Sequence, residues 1–180
     1  MVEIKIISGQ KALETGLEVQ ILEFDKRNMH EILEQAGIPF PEEKRRTSFE
    51  TNPTFIIAFN NDVIAGYLEY CCNWENRNEI YISSLQIDHV YRGGTLLLKL
   101  LNSTRESLIK EEFTKIVSGV QKNNSRAIRL YQKLGFKFED NPTNNSYSVS
   151  ADKEILKSKR ISSLIDRLHN QSPDKKKLNS

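Results

Sequence analysis

At 180 residues, the chain is long enough for one ordinary domain with a core of its own. Its 26 basic and 24 acidic residues leave a net charge of +2, a balance that gives no reason to expect a nucleic-acid partner. Because the sequence shows no membrane-length apolar run, no signal-peptide pattern, no Cys/His metal spacing and only the adjacent Cys71 and Cys72, we expect a cytoplasmic protein without disulfide, metal or membrane contact.

Hydrophobic periodicity in the first half of the chain predicts a helical region and an antiparallel meander of strands. Apolar residues recur at three- and four-residue steps over 10–36, and residues 25–28 could divide this stretch into two helices. The proline-containing stretch 38–53 predicts a loop or an irregular helix. The strands of this half are predicted at 2–7, 55–59, 63–72 and 79–88.

The second half changes to alternating strands and helices. Helices are predicted at 95–112 and 124–134, the second ending at Gly135. Strands are predicted at 114–120, 136–138 and 146–149. The fold class expected from this order is α+β, a mixed sheet with one central βα crossover. The domain limits that follow are 1–150 for the main domain, 151–170 for an appended amphipathic helix and 171–180 for a disordered basic tail.

Two segments of the second half could bind a ligand. The first, Arg92-Gly93-Gly94, precedes a helix, and free N–H groups at a helix start suit an anion such as phosphate. A plain strand-to-helix turn that needs glycine would look the same. In the second segment, Asn124 opens a helix that carries Tyr131, where capping and core packing are the ordinary explanations.

The second segment carries a more specific pattern than capping requires. Its residues 124–136 read N-x-x-A-x-x-L-Y-x-K-L-G-F, and Tyr91-Arg92-Gly93 with the Lys-Leu-Leu of 99–101 accompanies it. Together these segments resemble the motifs of the GNAT family of N-acetyltransferases, most closely over 79–138. The resemblance implies a mostly antiparallel central sheet, splayed between its fourth and fifth strands, flanked by helices and followed here by an extra C-terminal helix. It also implies transfer of an acetyl group from acetyl-CoA to a primary amine.

The resemblance assigns roles to individual residues. Tyr131 is the implied acid that protonates the departing thiolate, because a phenol with a pKa of about 10 keeps its proton at neutral pH. The implied acetyl-CoA contacts are the strand residues Leu85, Gln86 and Ile87, the turn residues Arg92, Gly93, Gly94, Thr95, Leu96 and Leu97, and the helix residues Asn124 and Tyr131.

Two departures from the family pattern bear on this activity. Thr95 and Leu97 stand where relatives carry small residues, which favours the alternative of a GNAT-fold binding module with a degraded acetyl-CoA site. Gly119 stands where many relatives place an acidic base. Glu79 is then the candidate base, beside a water chain or a substrate that arrives deprotonated.

The acceptor and other partners carry no readable motif. A small-molecule amine and a protein amine are both open, as is a macromolecule docked through the C-terminal extension. The charge run 42–46 is a solvated face or meets an acidic substrate. The lysines 175–177 are expected to be a solvated tail, with contact to nucleic acid or the ribosome as the alternative. Trp74 contacts the acceptor or a partner, or covers the sheet. The apolar stripe of 153–170 packs on its own domain or on a second subunit, as in a homodimer.

Overall fold

The computed structural model describes residues 2–73, 75–92 and 95–170. Within these residues, seven strands form one sheet in the order β1-β2-β3-β4-β5-β7-β6. Every neighbouring pair is antiparallel except β4 and β5, which run parallel. The expected fold class and the single central crossover are therefore confirmed. The strands are β1 (Val2–Ser8), β2 (Thr54–Asn60), β3 (Val63–Cys72), β4 (Glu79–Ile87), β5 (Lys115–Gln121), β6 (Lys137–Asn141) and β7 (Ser146–Asp152).

Helices cover both faces of the sheet. They are α1 (Gly9–Thr15), α2 (Leu17–Ala36), α3 (Glu42–Ser48), α4 (Leu96–Leu108), α5 (Ser125–Leu134) and α6 (Lys159–Asn170). The break expected at 25–28 was wrong, because the chain breaks at Gly16. Gly16 takes a left-handed conformation, with φ of 71°, and its N–H bonds back to the end of α1. The stretch 38–53, expected to be a loop or an irregular helix, contains the short helix α3.

The sheet separates two hydrophobic cores, and β2 shows why both form. Its apolar residues run without interruption, so alternate side chains enter opposite cores. Phe55 and Ile57 pack with α1 and α2, and we call this side the α2 face. Ile56 and Ala58 join the core that contains α4 and α5, and we call this side the α5 face.

The segment after residue 150 packs on the same domain. Strand β7 runs to Asp152, and Leu156 and Ile161 are buried in the core of the α5 face. Arg105 Nε of α4 donates to the Leu156 carbonyl oxygen at 2.6 Å. None of the helices described is long and apolar enough to cross a membrane. The predicted tail 171–180 and Trp74 lie outside the described residues.

Close strand packing predicts a stability difference between two glycines. A Cβ added at Gly66 in β3 would lie 2.8 Å from the Gln86 carbonyl oxygen, whereas one at Gly119 in β5 would meet nothing nearer than Tyr81 Oη at 3.6 Å. We expect Gly66→Ala to lower the free energy of unfolding by about 1–3 kcal/mol through overpacking. Gly119→Ala is the matched control and should leave it nearly unchanged. Equal urea midpoints for the two variants would contradict the expected clash.

Candidate active site

Strands β4 and β5 separate along their length. Their parallel pairing begins at Glu79 opposite Lys115 and ends at Ile82 opposite Ser118, although both strands continue past this point. The predicted splay is therefore confirmed. Leu85, Gln86 and Ile87 lie on β4 beyond the last pair, hydrogen-bonded to β3 on one side only. Backbone groups on the other side of this stretch face the gap and can bind a ligand, apart from the Ile87 carbonyl oxygen, which accepts from Arg92 Nε at 3.1 Å.

A bulge in β4 begins where the gap begins. Opposite β3, Ile82 pairs with Tyr70 and Ser84 pairs with Glu69, so Ser83 has no partner of its own. A bulge bends its strand and increases the local twist. The bend accounts for the departure of β4 from β5 directly after Ile82.

Tyr131 lies at the vertex of the gap. Its hydroxyl donates to Ser118 Oγ at 2.8 Å, and Ser118 Oγ donates to the Ile82 carbonyl oxygen at 2.7 Å. Ser118 and Ile82 are the last paired residues of the two strands, so the phenol marks the point where the gap opens. Burial raises the pKa of Tyr131 above its ordinary value. The phenol therefore keeps its proton at neutral pH and can donate it.

The ends of α5 hold Tyr131 in this position. Asn124 Oδ1 accepts a hydrogen bond from the Ala127 N–H at 3.1 Å, which caps the helix. Gly135 ends it with φ of 91°, and the N–H groups of Gly135 and Phe136 both bond to the Tyr131 carbonyl oxygen at 3.0 Å. The structure shows Asn124 as the cap of α5, which positions Tyr131, and the acetyl-CoA contact that the resemblance implies for Asn124 stays a prediction.

The start of α4 lies at the far end of β4 from the paired segment. Thr95 occupies the N-cap position in a helical conformation and makes no side-chain capping bond. The first N–H groups of an α-helix have no intrahelical partner and carry a partial positive charge. Leu96 is buried in the core and Leu97 is half-buried, so their side chains are not free to contact a phosphate. Their N–H groups remain suitable donors.

A cavity of about 260 Å³ adjoins this helix start. Three predicted contact residues line it, namely Arg92, Thr95 and Leu96. Lys99, which was not among the predicted contact residues, also lines it. Lys99 at an uncapped helix start fits an anionic ligand, while the Arg92 guanidinium donates to the Ile87 carbonyl oxygen at 3.1 Å and to Asn28 Oδ1 at 3.4 Å. The other lining residues are Val2, Val90 and Tyr91. Gly93 and Gly94 lie outside the described residues.

Glu79 is not near the gap. It begins β4 at the closed end of the β4–β5 pairing, where Oε2 accepts from Asn73 Nδ2 at 2.8 Å. Ile82, which marks the vertex with Tyr131, lies three residues further along the strand, roughly 10 Å away, and Ser84 lies five residues along, roughly 16 Å away. The structure therefore does not bring Glu79 together with Tyr131 or with the strand residues of the gap.

Tyr81, rather than an acid, adjoins the place of Gly119 on the α2 face. An added Cβ at Gly119 would lie 3.6 Å from Tyr81 Oη. Tyr81 is 38% exposed, and burial raises its pKa above the ordinary value. Because this phenol stays protonated at neutral pH, it is not suited to take a proton from an amine.

Sequence reasoning missed a buried polar cluster beneath α2 and α3, which we call the carboxylate cluster. It consists of Asp25, Arg45, Tyr67 and Glu69. Arg45 Nε lies 2.7 Å from Asp25 Oδ2, and Arg45 Nη2 lies 2.7 Å from Glu69 Oε2. Tyr67 Oη donates a short hydrogen bond to Asp25 Oδ1. Arg45 belongs to the charge run 42–46. The sequence gives no sign that its side chain is buried while that of Arg46 is exposed.

The carboxylate cluster holds two carboxyl groups and one cation. Asp25 is 1% exposed and Glu69 is 2% exposed. Burial raises the pKa of each carboxyl group, and the adjacent Arg45 guanidinium opposes that rise. The cluster can therefore hold a proton more readily than exposed carboxylates do. No group of three or more His, Cys, Asp or Glu side chains suited to a metal ion occurs among the described residues.

Comparison with known proteins places the chain in a family. The family model described as the acetyltransferase (GNAT) family matches residues 20–136. The probable N-acetyltransferase san of Drosophila melanogaster is 33% identical over 90 residues, which span 47% of this chain and 47% of that protein. The chain belongs to the GNAT family.

Solved structures share the fold at low sequence identity. The PaiA N-acetyltransferase of Thermoplasma acidophilum, solved in complex with coenzyme A, has a TM-score of 0.61 at 21% identity and covers 84% of this chain and 99% of that one. Naa50 of Arabidopsis thaliana, in complex with the bisubstrate analogue CoA-Ac-MVNAL, has a TM-score of 0.58 at 21% identity, covering 83% and 97%. A GNAT-family acetyltransferase of Staphylococcus aureus Mu50 reaches 0.66 at 16% identity, covering 84% and 99%.

Proposed function

We propose that this protein transfers an acetyl group from acetyl-CoA to a primary amine, by direct attack of the amine in a ternary complex. The observation that carries the proposal is the position of Tyr131, a buried, protonated phenol at the vertex of an open strand pair. Membership of the GNAT family and a fold neighbour in complex with coenzyme A support the choice of co-substrate.

The proposed site uses both ends of the gap. Backbone groups of Leu85, Gln86 and Ile87 bind the pantetheine arm and polarise the thioester carbonyl. The N–H groups at Thr95, Leu96 and Leu97 hold the pyrophosphate. Arg92 and Lys99 add positive charge there, and the sequence pattern adds Gly93 and Gly94. Because main-chain N–H groups make these contacts, a leucine side chain at position 97 is compatible with binding.

The chemistry needs an acid and a base. The amine nitrogen forms a bond to the carbonyl carbon as the carbon–sulfur bond breaks, and Tyr131 gives its proton to the sulfur. Asn124 caps α5 and so positions Tyr131. Glu79, at the closed end of the strand pair, is not part of this proposal.

The α2 face beside Tyr81 and Gly119 is the proposed entry of the acceptor. Tyr131 reaches the gap from the opposite face, so an amine entering from the α2 face would meet the thioester between the two. A small amine and the amino end of a peptide both suit an open sheet surface. The Arabidopsis neighbour in complex with CoA-Ac-MVNAL supports a trial of the peptide MVNAL as one acceptor.

The competing proposal is a GNAT-fold binding module that has lost acetyl-CoA, and Thr95 and Leu97 are the observations that favour it. A titration separates the two. Acetyl-CoA at a hundred times its dissociation constant should raise the free energy of unfolding by about 2.7 kcal/mol, measured by thermal shift and calorimetry. The absence of any shift at millimolar acetyl-CoA would rule out the enzyme and leave the binding module.

A further inference from the structure

A row of hydroxyl groups connects the gap to the carboxylate cluster on the α2 face. Ser84 on β4 follows the bulge and is partly exposed. Its Oγ donates to Tyr67 Oη at 3.3 Å, and Tyr67 Oη donates to Asp25 Oδ1. Both hydrogen bonds point inward, from the gap to a carboxyl group that is 1% exposed. An O–H···O distance of 3.3 Å is long, and catalytic hydrogen bonds commonly tighten when substrate binds.

We propose that Ser84, Tyr67 and Asp25 form a proton relay that deprotonates the acceptor amine. Ser84 is the catalytic residue of the three because it meets the substrate, and Tyr67 and Asp25 act through it. The proposal rests on the acetyl transfer proposed above and supplies the base that Gly119 and Glu79 do not provide.

The neighbours of Ser84 orient its hydroxyl group for this task. Gln86 Nε2 donates to Ser84 Oγ at 3.2 Å, which occupies one lone pair of the oxygen. The Ser84 proton points to Tyr67, and the second lone pair is available to the amine. Ser84 therefore gives one proton to Tyr67 as it takes one from the substrate.

The surroundings of Asp25 make it a suitable end for the relay. Arg45 faces it from α3, Tyr67 and Glu69 face it from β3, and Ser84 and Gln86 extend the contacts to β4. Arg45 is the cation opposite two carboxyl groups, so the ionised cluster carries a net charge of −1 and becomes neutral when it takes up one proton. Burial favours the neutral form of Asp25, which is the form it takes after the transfer.

The protons balance over one turnover. An alkylammonium loses its first proton along Ser84 and Tyr67 to Asp25. The neutral amine then forms the carbon–nitrogen bond, the carbon–sulfur bond breaks and Tyr131 protonates the sulfur. The second proton lost from nitrogen restores the Tyr131 phenol. After the products leave, Asp25 returns its proton to water along the same hydroxyl groups.

The test compares two adjacent serines. Ser83 Oγ donates to the Glu69 carbonyl oxygen at 3.4 Å and lies outside the relay, so Ser83→Ala is the matched control for Ser84→Ala. The wild type is first assayed with acetyl-CoA and three acceptors, namely MVNAL peptide, a lysine peptide and spermidine. The acceptor with the highest rate is then used to measure kcat/KM of each variant from pH 7 to pH 10. Calorimetry with acetyl-CoA checks that each variant still binds the co-substrate.

We expect Ser84→Ala to lower kcat/KM at pH 7 by about tenfold or more. The deficit should shrink as the pH approaches the pKa of the acceptor amine, about 8 for an α-amine and 10.4 for lysine, because the amine then deprotonates without help. Ser84→Thr keeps a hydroxyl group and should restore the rate. Tyr67→Phe should repeat the pH-dependent deficit, and if it fails to fold, the serine pair decides.

A Ser84→Ala rate equal to wild type at pH 7 would overturn the relay. A deficit that stays constant from pH 7 to pH 10 would also overturn it, because a structural defect does not follow the ionisation of the amine. These outcomes leave acetyl transfer itself intact. If the wild type binds acetyl-CoA and acetylates no amine in the panel, the proposed function and the relay are both wrong.

Discussion

Replacing Tyr131 with phenylalanine should lower kcat about a hundredfold or more, the usual contribution of a general acid, while acetyl-CoA binding changes little. The Tyr131 hydroxyl lies at the vertex of the β4–β5 gap, and within the described part of the chain its hydrogen-bond partner is Ser118. Phenylalanine keeps the ring, which packs edge-on against Phe136 at a centroid distance of 5.0 Å. Steady-state kinetics and calorimetry on the same preparation measure the two effects separately.

The chain offers a matched control for this variant. Tyr70 is also buried in the core of the α5 face, and its hydroxyl makes a 2.7 Å hydrogen bond with Ser107. Tyr70→Phe should cost a similar free energy of unfolding, about 1 kcal/mol, for the lost hydrogen bond. Its kcat should match wild type. Equal kcat values for the Tyr131 and Tyr70 variants would remove Tyr131 from the mechanism.

Replacing Arg45 with methionine should lower the free energy of unfolding by about 3–5 kcal/mol, because it leaves two buried carboxyl groups without their cation. The Arg45 side chain is 14% exposed and contacts Asp25, Glu69 and Ser48. Methionine keeps much of the apolar contact with Phe49 and Phe55, so the loss reports mainly on charge. Urea unfolding at pH 7 measures it.

The same variant has a pH signature. In the folded state the pKa values of Asp25 and Glu69 are raised, so their buried charge costs stability as the pH rises from about 4 through the folded pKa values. Removal of Arg45 increases this cost. We therefore expect Arg45→Met to lower the free energy of unfolding less at pH 4 than at pH 7.

Arg46 is the control for Arg45. It is the next residue, its side chain is 52% exposed and it pairs with Glu42 on the same helix. Arg46→Met should leave the urea midpoint close to wild type, because exposed pairs contribute little. A midpoint for Arg45→Met as high as that of Arg46→Met would show that the carboxylate cluster is not a stabilising unit.

Local sequence patterns were sufficient to predict the strands and helices whose formation depends on residues close together in the chain. The strands 63–72 and 79–88 were predicted almost to their ends because β-branched residues and a turn signal bound them. The helix of residues 124–136 was predicted from its cap, its apolar stripe and its terminal glycine, which all lie within thirteen residues. The break in the first helical region was misplaced, because Gly16 and the polar residues 25–28 carry similar local signals.

The amino-acid sequence by itself determined the family, the order of the elements and the residue that is the proposed acid. These depend on motifs within one helix and on hydrophobic periodicity, which are local properties. Only the tertiary structure decided which side chains meet. It placed Glu79 at the closed end of the strand pair and Tyr131 at its vertex. It also brought Arg45 from the charge run 42–46 into contact with Asp25 and Glu69, which lie 20 and 24 residues away in sequence. Burial, which raises the pKa of Asp25 and of Glu69, exists only in the folded chain.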